Sequence, residues 1–468
     1  MSKKFPKITK WFRLDRSADI YPMSITRTAQ SNYIVSAELV DNIDEEVLEK
    51  AVDKALNRFP AFRVQLRRGF FRYYLEKNNS TPKIWNDNGV EFEPIDFLKN
   101  KRFLFRIKVY KNVMSMDFFH GLADATGAVE FLKTILYTYY EMLGENVGEP
   151  VDVKNAEEKA DKSEYADDVH KYFKKFKLND PVVKRMIGKN CYGIKDKKFK
   201  SPGYALTQVK MDAKSVLDVA RLHDLTVTEL LAGIILLGVN NVFDNPKNKT
   251  LVAMIPVDLR KHFDSNTMQN FTTMVRCKIE PSKVNPDIIS YSNAIKKELR
   301  AAIKDKDALQ AQLSLSALLS KNPLVKILPL FIKNLFVKLP KFFAVGTKQT
   351  MIVTNIGLKK APPMLYEKVE KVSVHPNVSN KVPINVGIIS FGNTLTINFT
   401  RKLVYPKLEL AVVDMLKELG IETYVYANAR AEKTHMHNHQ KELKKKNKEK
   451  FKETLDKDIS LLKKDKNQ

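Results

Sequence analysis

The sequence predicts two α/β-type domains in tandem. Strand-like and helix-like stretches alternate through both halves of the chain, and a charged, weakly apolar stretch at 145–177 separates them. At 468 residues the chain is long enough for two or three domains, each with its own core. The expected division is 1–177 for the first lobe with its connector, 178–428 for the second lobe, and 429–468 for a lysine-rich tail, helical or disordered.

In the first half, 33–40 reads as a strand. Residues 44–58 follow as an amphipathic helix, with Val47, Leu48, Ala51, Val52, Ala55 and Leu56 at helical spacing and Asp44 as N-cap. Residues 62–66 and 70–75 pair as a hairpin turning at Arg68-Gly69, and 103–110 pairs with 113–119 across Lys111-Asn112. A helix over 126–143 has Val129, Leu132, Ile135, Leu136, Tyr139 and Leu143 on one side. In the second half, strands are expected at 204–211, 251–257, 271–279, 351–356, 368–374, 384–391 and 394–399. The last two form a hairpin over Gly392-Asn393. Helices are expected at 213–222, 226–242, 287–304 and 407–419; Thr226 and Glu229 make a capping box, and Gly420 suits a helix C-terminus.

The stretch 313–345 is rich in Leu, Ile and Phe, but Lys321, Lys326, Lys333, Lys338 and Lys341 interrupt it and Pro323, Pro329 and Pro340 break it. It reads either as one or two buried helices whose lysines face solvent, or as a segment lying on a membrane interface.

With 44% hydrophobic residues, 26 Phe and 17 Tyr, the chain is not a disordered protein. Sixteen Gly and two Cys exclude collagen-like and disulfide-rich classes, and Cys191 and Cys277 form no CxxC or Cys/His pairing. Residues 1–17 lack the apolar core of a signal peptide and no apolar run reaches 18 residues. The expectation is a cytoplasmic globular protein. The formal net charge is +26, about +6 of it in the tail, where 13 Lys/Arg from Arg430 onward face 7 Asp/Glu. No zinc-finger, RNA-recognition or basic-zipper signature accompanies that charge, so no specific nucleic-acid partner is expected. The tail's His435, His437 and His439 have no fixed carboxylate or cysteine nearby, and no metal site is expected.

One constellation carries chemistry. A hydrophobic strand leads to His120; Asp124 follows four residues later, just before a helix, and Gly127 lies beyond. Histidine is the usual general base near neutrality. A carboxylate four residues on can hold the loop in shape by pairing with an arginine from elsewhere. The spacing alone leaves catalysis and a structural histidine both open.

The segment Phe119-His120-Gly121-Leu122-Ala123-Asp124-Ala125-Thr126-Gly127-Ala128, followed by Phe131-Leu132-Lys133, resembles the HxxxDG motif of the chloramphenicol-acetyltransferase-like acyltransferases. That superfamily includes condensation domains of peptide synthetases, alcohol acetyltransferases and wax-ester synthases. Three further stretches agree in order. Phe59-Pro60-Ala61-Phe62-Arg63 is similar to the HPxLR element, Ile255-Pro256-Val257-Asp258-Leu259-Arg260 to the PVDLR strand, and Met268-Gln269-Asn270-Phe271 to the GNF element. The chain departs from the pattern in having Phe119 where condensation domains carry a second histidine, and Ala125 in place of the motif glycine.

The resemblance implies two similar lobes packed as a V, with a tunnel between them and His120 at its middle. It implies an acyltransferase moving an acyl group from a coenzyme A or carrier-protein thioester to a small alcohol or, less readily, an amine. In that reading no cofactor is held permanently, acyl-CoA is a co-substrate and His120 is the general base. Asp124 shapes the loop, paired with Arg63 as first choice and Arg260 as second. Asn270 and Asn355 are the candidate donors to the oxyanion. The alternative is a non-catalytic protein of the same fold, binding a lipid or making peripheral contact with an anionic membrane through 313–345 and the tail.

Overall fold

A computed structural model describes residues 11–12, 14–15, 18–26, 30–89, 91–174, 191–200, 203–316, 325, 327–338 and 349–427. The tail with its three histidines and the expected 177/178 boundary lie outside the described residues. Two hydrophobic cores organise the rest. One is built almost wholly from residues 169–421, the other from residues 14–140 together with a few from 361–391.

The first-half core lies under a five-stranded sheet in the order Val369–His375, Asn32–Leu39, Val113–Phe119, Phe105–Tyr110 and Ile84–Asn86. Register explains why these segments alternate as they do. Tyr33, Val35 and Ala37 stand level with Phe118, Met116 and Met114, and these with Phe105, Ile107 and Val109. This apolar face is buried and carries the helices Glu45–Arg58 and Ala125–Met142. Asp44 caps the first of these, accepting from the Glu46 and Val47 N–H groups at 3.0 Å. The opposite face is polar: Lys371, Ser373 and His375 stand level with Glu38, Ser36 and Ile34, and Asp117 with Arg106. Arg106 donates to Asp117 at 2.6 and 2.9 Å, which satisfies a buried charge that would otherwise be costly.

The second core lies on a seven-stranded mixed sheet, ordered Thr272–Ile279, Leu251–Asp258, Met351–Lys359, Ile384–Phe391, Thr394–Arg401, Ala205–Asp212 and Tyr424–Ala427. The helix Val227–Val242 has the expected capping box at Thr226 and Glu229 and is buried from Glu229 to Val239, apolar on all sides as a core helix is. Among the described residues no single helix is long and apolar enough to cross a membrane.

Three expectations are corrected. The halves of the sequence do not map one to one onto the two sheets, because Val369–His375 leaves the second half and pairs antiparallel with Asn32–Leu39 of the first. Where it crosses, a Cβ on Gly387 would stand 1.9 Å from the Val374 carbonyl, so only glycine admits that approach. Second, Phe70 and Phe71 are not in a strand. The Gly69 N–H bonds the Arg72 carbonyl at 2.9 Å, which closes the turn and leaves both rings at its tip, between Val64–Arg68 and Tyr73–Lys77. Third, in the described part of 313–345, Lys333 is buried while Phe331 and Leu335 are exposed, the reverse of lysines facing solvent. The Lys333 ammonium donates to the Phe71 carbonyl at 2.7 Å, and that bond holds it inward.

His375, fully enclosed between the sheets, gives a pH prediction. Gln208 from the seven-stranded sheet holds its Nε2 at 3.2 Å, while Nδ1 has no partner. Burial, aided by Lys371, lowers its pKa to about 3. The folded state therefore keeps the ring neutral while the unfolded chain takes up a proton below about pH 6.5. Stability is full above that pH and falls as pH drops toward 3, by about 1.4 kcal/mol per unit from this residue. Urea titrations of His375→Gln between pH 7 and 5 are expected to show a shallower acid loss than wild type; equal slopes would refute the assignment.

Candidate active site

The strand Val113–Phe119 delivers His120, whose N–H extends the ladder by donating to the Ser31 carbonyl at 2.8 Å. The chain then turns sharply, with the Leu122 N–H on the Phe119 carbonyl at 2.9 Å, and Asp124 caps the helix Ala125–Met142 through the Gly127 N–H at 3.1 Å. Tyr33 fastens the turn from the neighbouring strand, its hydroxyl donating to the Ala123 carbonyl at 2.9 Å. Burial first, then the Asp124 charge, hold that phenol well above its usual pKa, so it stays a neutral donor.

Asp124 is buried and fully used. One oxygen accepts from the Gly127 N–H and from Arg260 Nη2 at 3.2 Å, the other from Arg260 Nη1 at 3.0 Å and from the Phe271 N–H at 2.9 Å. Arg260 spends all five of its donor hydrogens, on Asp124 twice and on Asp258, Thr267 O and Gln269 O. Asp124 thus ties the His120 turn to the second half of the chain. Arg260 is its partner; Arg63, the first choice, is instead bonded to Asp53 at 2.7 Å. Arg63 follows the helix Glu45–Arg58, and its guanidinium folds back onto Asp53 of that helix.

Gly127 also belongs to this junction. A Cβ there would lie 2.1 Å from the Met268 carbonyl, a backbone atom that cannot swing aside. Glycine is needed here, two residues beyond the motif position that Ala125 occupies. Gly127→Ala is expected to destabilise the protein by about 1–3 kcal/mol in urea unfolding. An unchanged midpoint would mean that Met268 is not packed against this helix end.

The imidazole is held from three sides. Tyr21 stacks on it with centroids 4.8 Å apart and planes within 14°, and Tyr33 meets it edge-on at 5.1 Å. On the third side Asn270 Oδ1 lies 3.0 Å from Nδ1. The Asn270 amide cannot be turned around. Its Nδ2 sits 2.9 Å from an Asp15 carboxylate oxygen and 3.0 Å from the His120 carbonyl, and both are acceptors only. Oδ1 therefore faces the ring, Nδ1 carries the hydrogen, and Nε2 keeps a basic lone pair. Burial lowers the imidazole pKa; the ring's bond to its own backbone, the Asp124 charge and Asn270 oppose that only in part.

This geometry corrects the oxyanion expectation for Asn270. Both Nδ2 hydrogens are spent on Asp15 and the His120 carbonyl, so Asn270 orients the histidine and has no donor left for a substrate oxygen. Asn355 is engaged with Thr228 Oγ1 at 2.9 Å and the Gly357 N–H at 2.8 Å, in a bulged part of its strand. Among the described residues no hydrogen bond joins it to His120. Asp15, Tyr21 and Tyr33 are the site residues that sequence reasoning missed. They carry no spacing relative to His120; only the GNF-like stretch pointed to the partner that Asp15 holds.

A family model described as "Phthiocerol/phthiodiolone dimycocerosyl transferase C-terminus" matches residues 205–399. Among solved structures, polyketide synthase associated protein 5 from Mycobacterium tuberculosis superposes with a TM-score of 0.59 at 14% identity, covering 86% of this chain and 97% of that one. This is the chloramphenicol-acetyltransferase-like fold. Trichothecene 15-O-acetyltransferase TRI3 from Fusarium sporotrichioides shares it at a TM-score of 0.55 and 13% identity, over 90% of this chain and 100% of its own. The nonribosomal peptide synthetase FmoA3 does so at 0.58 and 12%, over 90% of this chain and 45% of that longer one. No curated protein matches the sequence. The α/β fold that the four sequence stretches led us to expect therefore stands, and the family model over 205–399 agrees with the resemblance.

Proposed function

We propose that the chain is an acyltransferase that moves an acyl group from a thioester, of coenzyme A or a carrier protein, to an alcohol. An amine is the less favoured acceptor. The reading rests on one observation: His120 is a part-buried imidazole whose Nδ1 hydrogen is pinned by an Asn270 that cannot flip, leaving Nε2 as a base. In the reaction, Nε2 takes the acceptor's hydroxyl proton as the oxygen attacks the thioester carbonyl carbon. The C–S bond then breaks, and Nε2 returns the proton to the departing thiolate. Proton and electron pairs balance without a covalent enzyme intermediate. The superfamily match and the acetyltransferase among the similar structures agree with this chemistry. The test is free-thiol release from acyl-CoAs of graded chain length with a panel of alcohols and amines, wild type beside His120→Ala. Equal release by the two proteins, with any donor and acceptor, would refute the proposal.

A further inference from the structure

The hairpin tip and the helix that covers it form a surface the proposed chemistry does not use. The tip reads Arg67-Arg68-Gly69-Phe70-Phe71-Arg72, with Phe70 67% and Phe71 46% exposed and their rings edge-to-face at 4.8 Å. The helix Leu330–Lys338 is bolted to this tip. The Leu330 N–H donates to the Phe70 carbonyl at 2.8 Å, Lys333 to the Phe71 carbonyl, and Asn334 Nδ2 to the Tyr73 hydroxyl at 3.1 Å. Its outward side carries Phe331, 61% exposed, and one turn on Leu335, 66% exposed, with Ile327 at 69% just ahead of the helix. Five large exposed apolar side chains thus lie on the tip, on the helix bonded to it and just ahead of that helix.

Soluble surfaces scatter such residues singly; a joined group of them with a basic border marks a contact site. The border is basic here. Arg68 and Arg72 are exposed on either side of the two phenylalanines. We infer that the Phe70–Phe71 tip and the Phe331/Leu335 face of Leu330–Lys338 dock the protein on an anionic phospholipid bilayer. The aromatic and aliphatic side chains enter the headgroup region, and the arginines meet lipid phosphates. Charge complementarity selects this occupant, because an apolar partner surface would leave Arg68 and Arg72 without counter-charges. The same helix packs on Ile20–Ser24, whose Tyr21 stacks on His120, so the docked face lies one short helix from the proposed base.

The inference is read without any substrate, so it stands or falls apart from the acyl-transfer proposal. Full-length protein is sedimented with vesicles of phosphatidylglycerol and phosphatidylcholine, and with phosphatidylcholine alone. Wild type is expected to bind the anionic vesicles at least about tenfold more tightly, and to lose that preference when salt shortens the Debye length to about 3 Å near 1 M. The pairs Phe70→Ser with Phe71→Ser, and Phe331→Ser with Leu335→Ser, are each expected to weaken partition at least about tenfold. Arg68→Glu with Arg72→Glu is expected to abolish the anionic preference. Leu222→Ser, which removes a single exposed leucine on Ala213–Leu222, is expected to change nothing. All variants are first matched to wild type by urea midpoint, since the altered side chains face outward. The inference is overturned if wild type does not discriminate the vesicles, or if both serine pairs bind as wild type does. It is likewise overturned if light scattering shows the face joining two copies of the chain, with a dimer that Phe331→Ser dissolves.

Discussion

Arg260→Ala is expected to lower folding stability by about 3–5 kcal/mol, because it strands Asp124 as a buried charge. The carboxylate would keep two backbone N–H groups, from Gly127 and Phe271, and lose both guanidinium bonds. Three further bonds vanish with the side chain, to Asp258, Thr267 and Gln269. Arg63→Ala removes a pair with Asp53, whose side chain is 40% exposed, and the ion pair should be worth at most about 1 kcal/mol there. Urea unfolding of the two variants side by side separates these values. Asp124→Asn combined with Arg260→Ala should cost less than the sum of the single changes, since the stranded charge is gone. Equal losses for Arg63→Ala and Arg260→Ala would show that the buried pair does not hold the two cores together.

His120→Ala is expected to cost at least about a hundredfold in thiol release, the lower end for removing a general base. The pH profile carries the same information with a definite sign. The base works when neutral, and burial lowers the imidazole pKa. The acid limb of kcat/KM should therefore fall below the ordinary histidine value of about 6.5, and activity should drop as pH decreases through it. Asn270→Ala leaves Nε2 in place but frees the ring and its tautomer. A smaller loss than for His120→Ala is expected, with kcat falling more than KM rises. A limb at or above about 6.5 would contradict the buried-base account.

Much of the fold was legible because its signals are local. The capping box at Thr226 and Glu229, the N-cap at Asp44 and the alternation of Tyr33, Val35 and Ala37 against Phe118, Met116 and Met114 depend on near neighbours in sequence. Short pieces such as Trp11–Phe12, Ile84–Asn86 and Ile20–Ser24 left no period to read. The site was half legible. His120, Asp124 and Arg260 lie in stretches with recognisable spacing, and the structure joins them. The choice of Arg260 over Arg63 was not readable, because it depends on which strand passes the Asp124 turn. Nor was the role of Asn270, since it follows from Asp15, 255 residues away, claiming an amide hydrogen.

The strand Val369–His375 has a consequence for how the protein comes into being on a ribosome. Until it emerges, the partly synthesised chain presents Asn32–Leu39 as an open edge with unpaired N–H and C=O groups, the arrangement that invites wrong pairing between chains. Some 330 residues separate the two partners, so closure of that edge waits for a contact of very long range, which slows folding. The first half released by itself should be a sticky fragment. Cutting the gene at the apparent midpoint would part Asn32–Leu39 from the strand that closes its sheet.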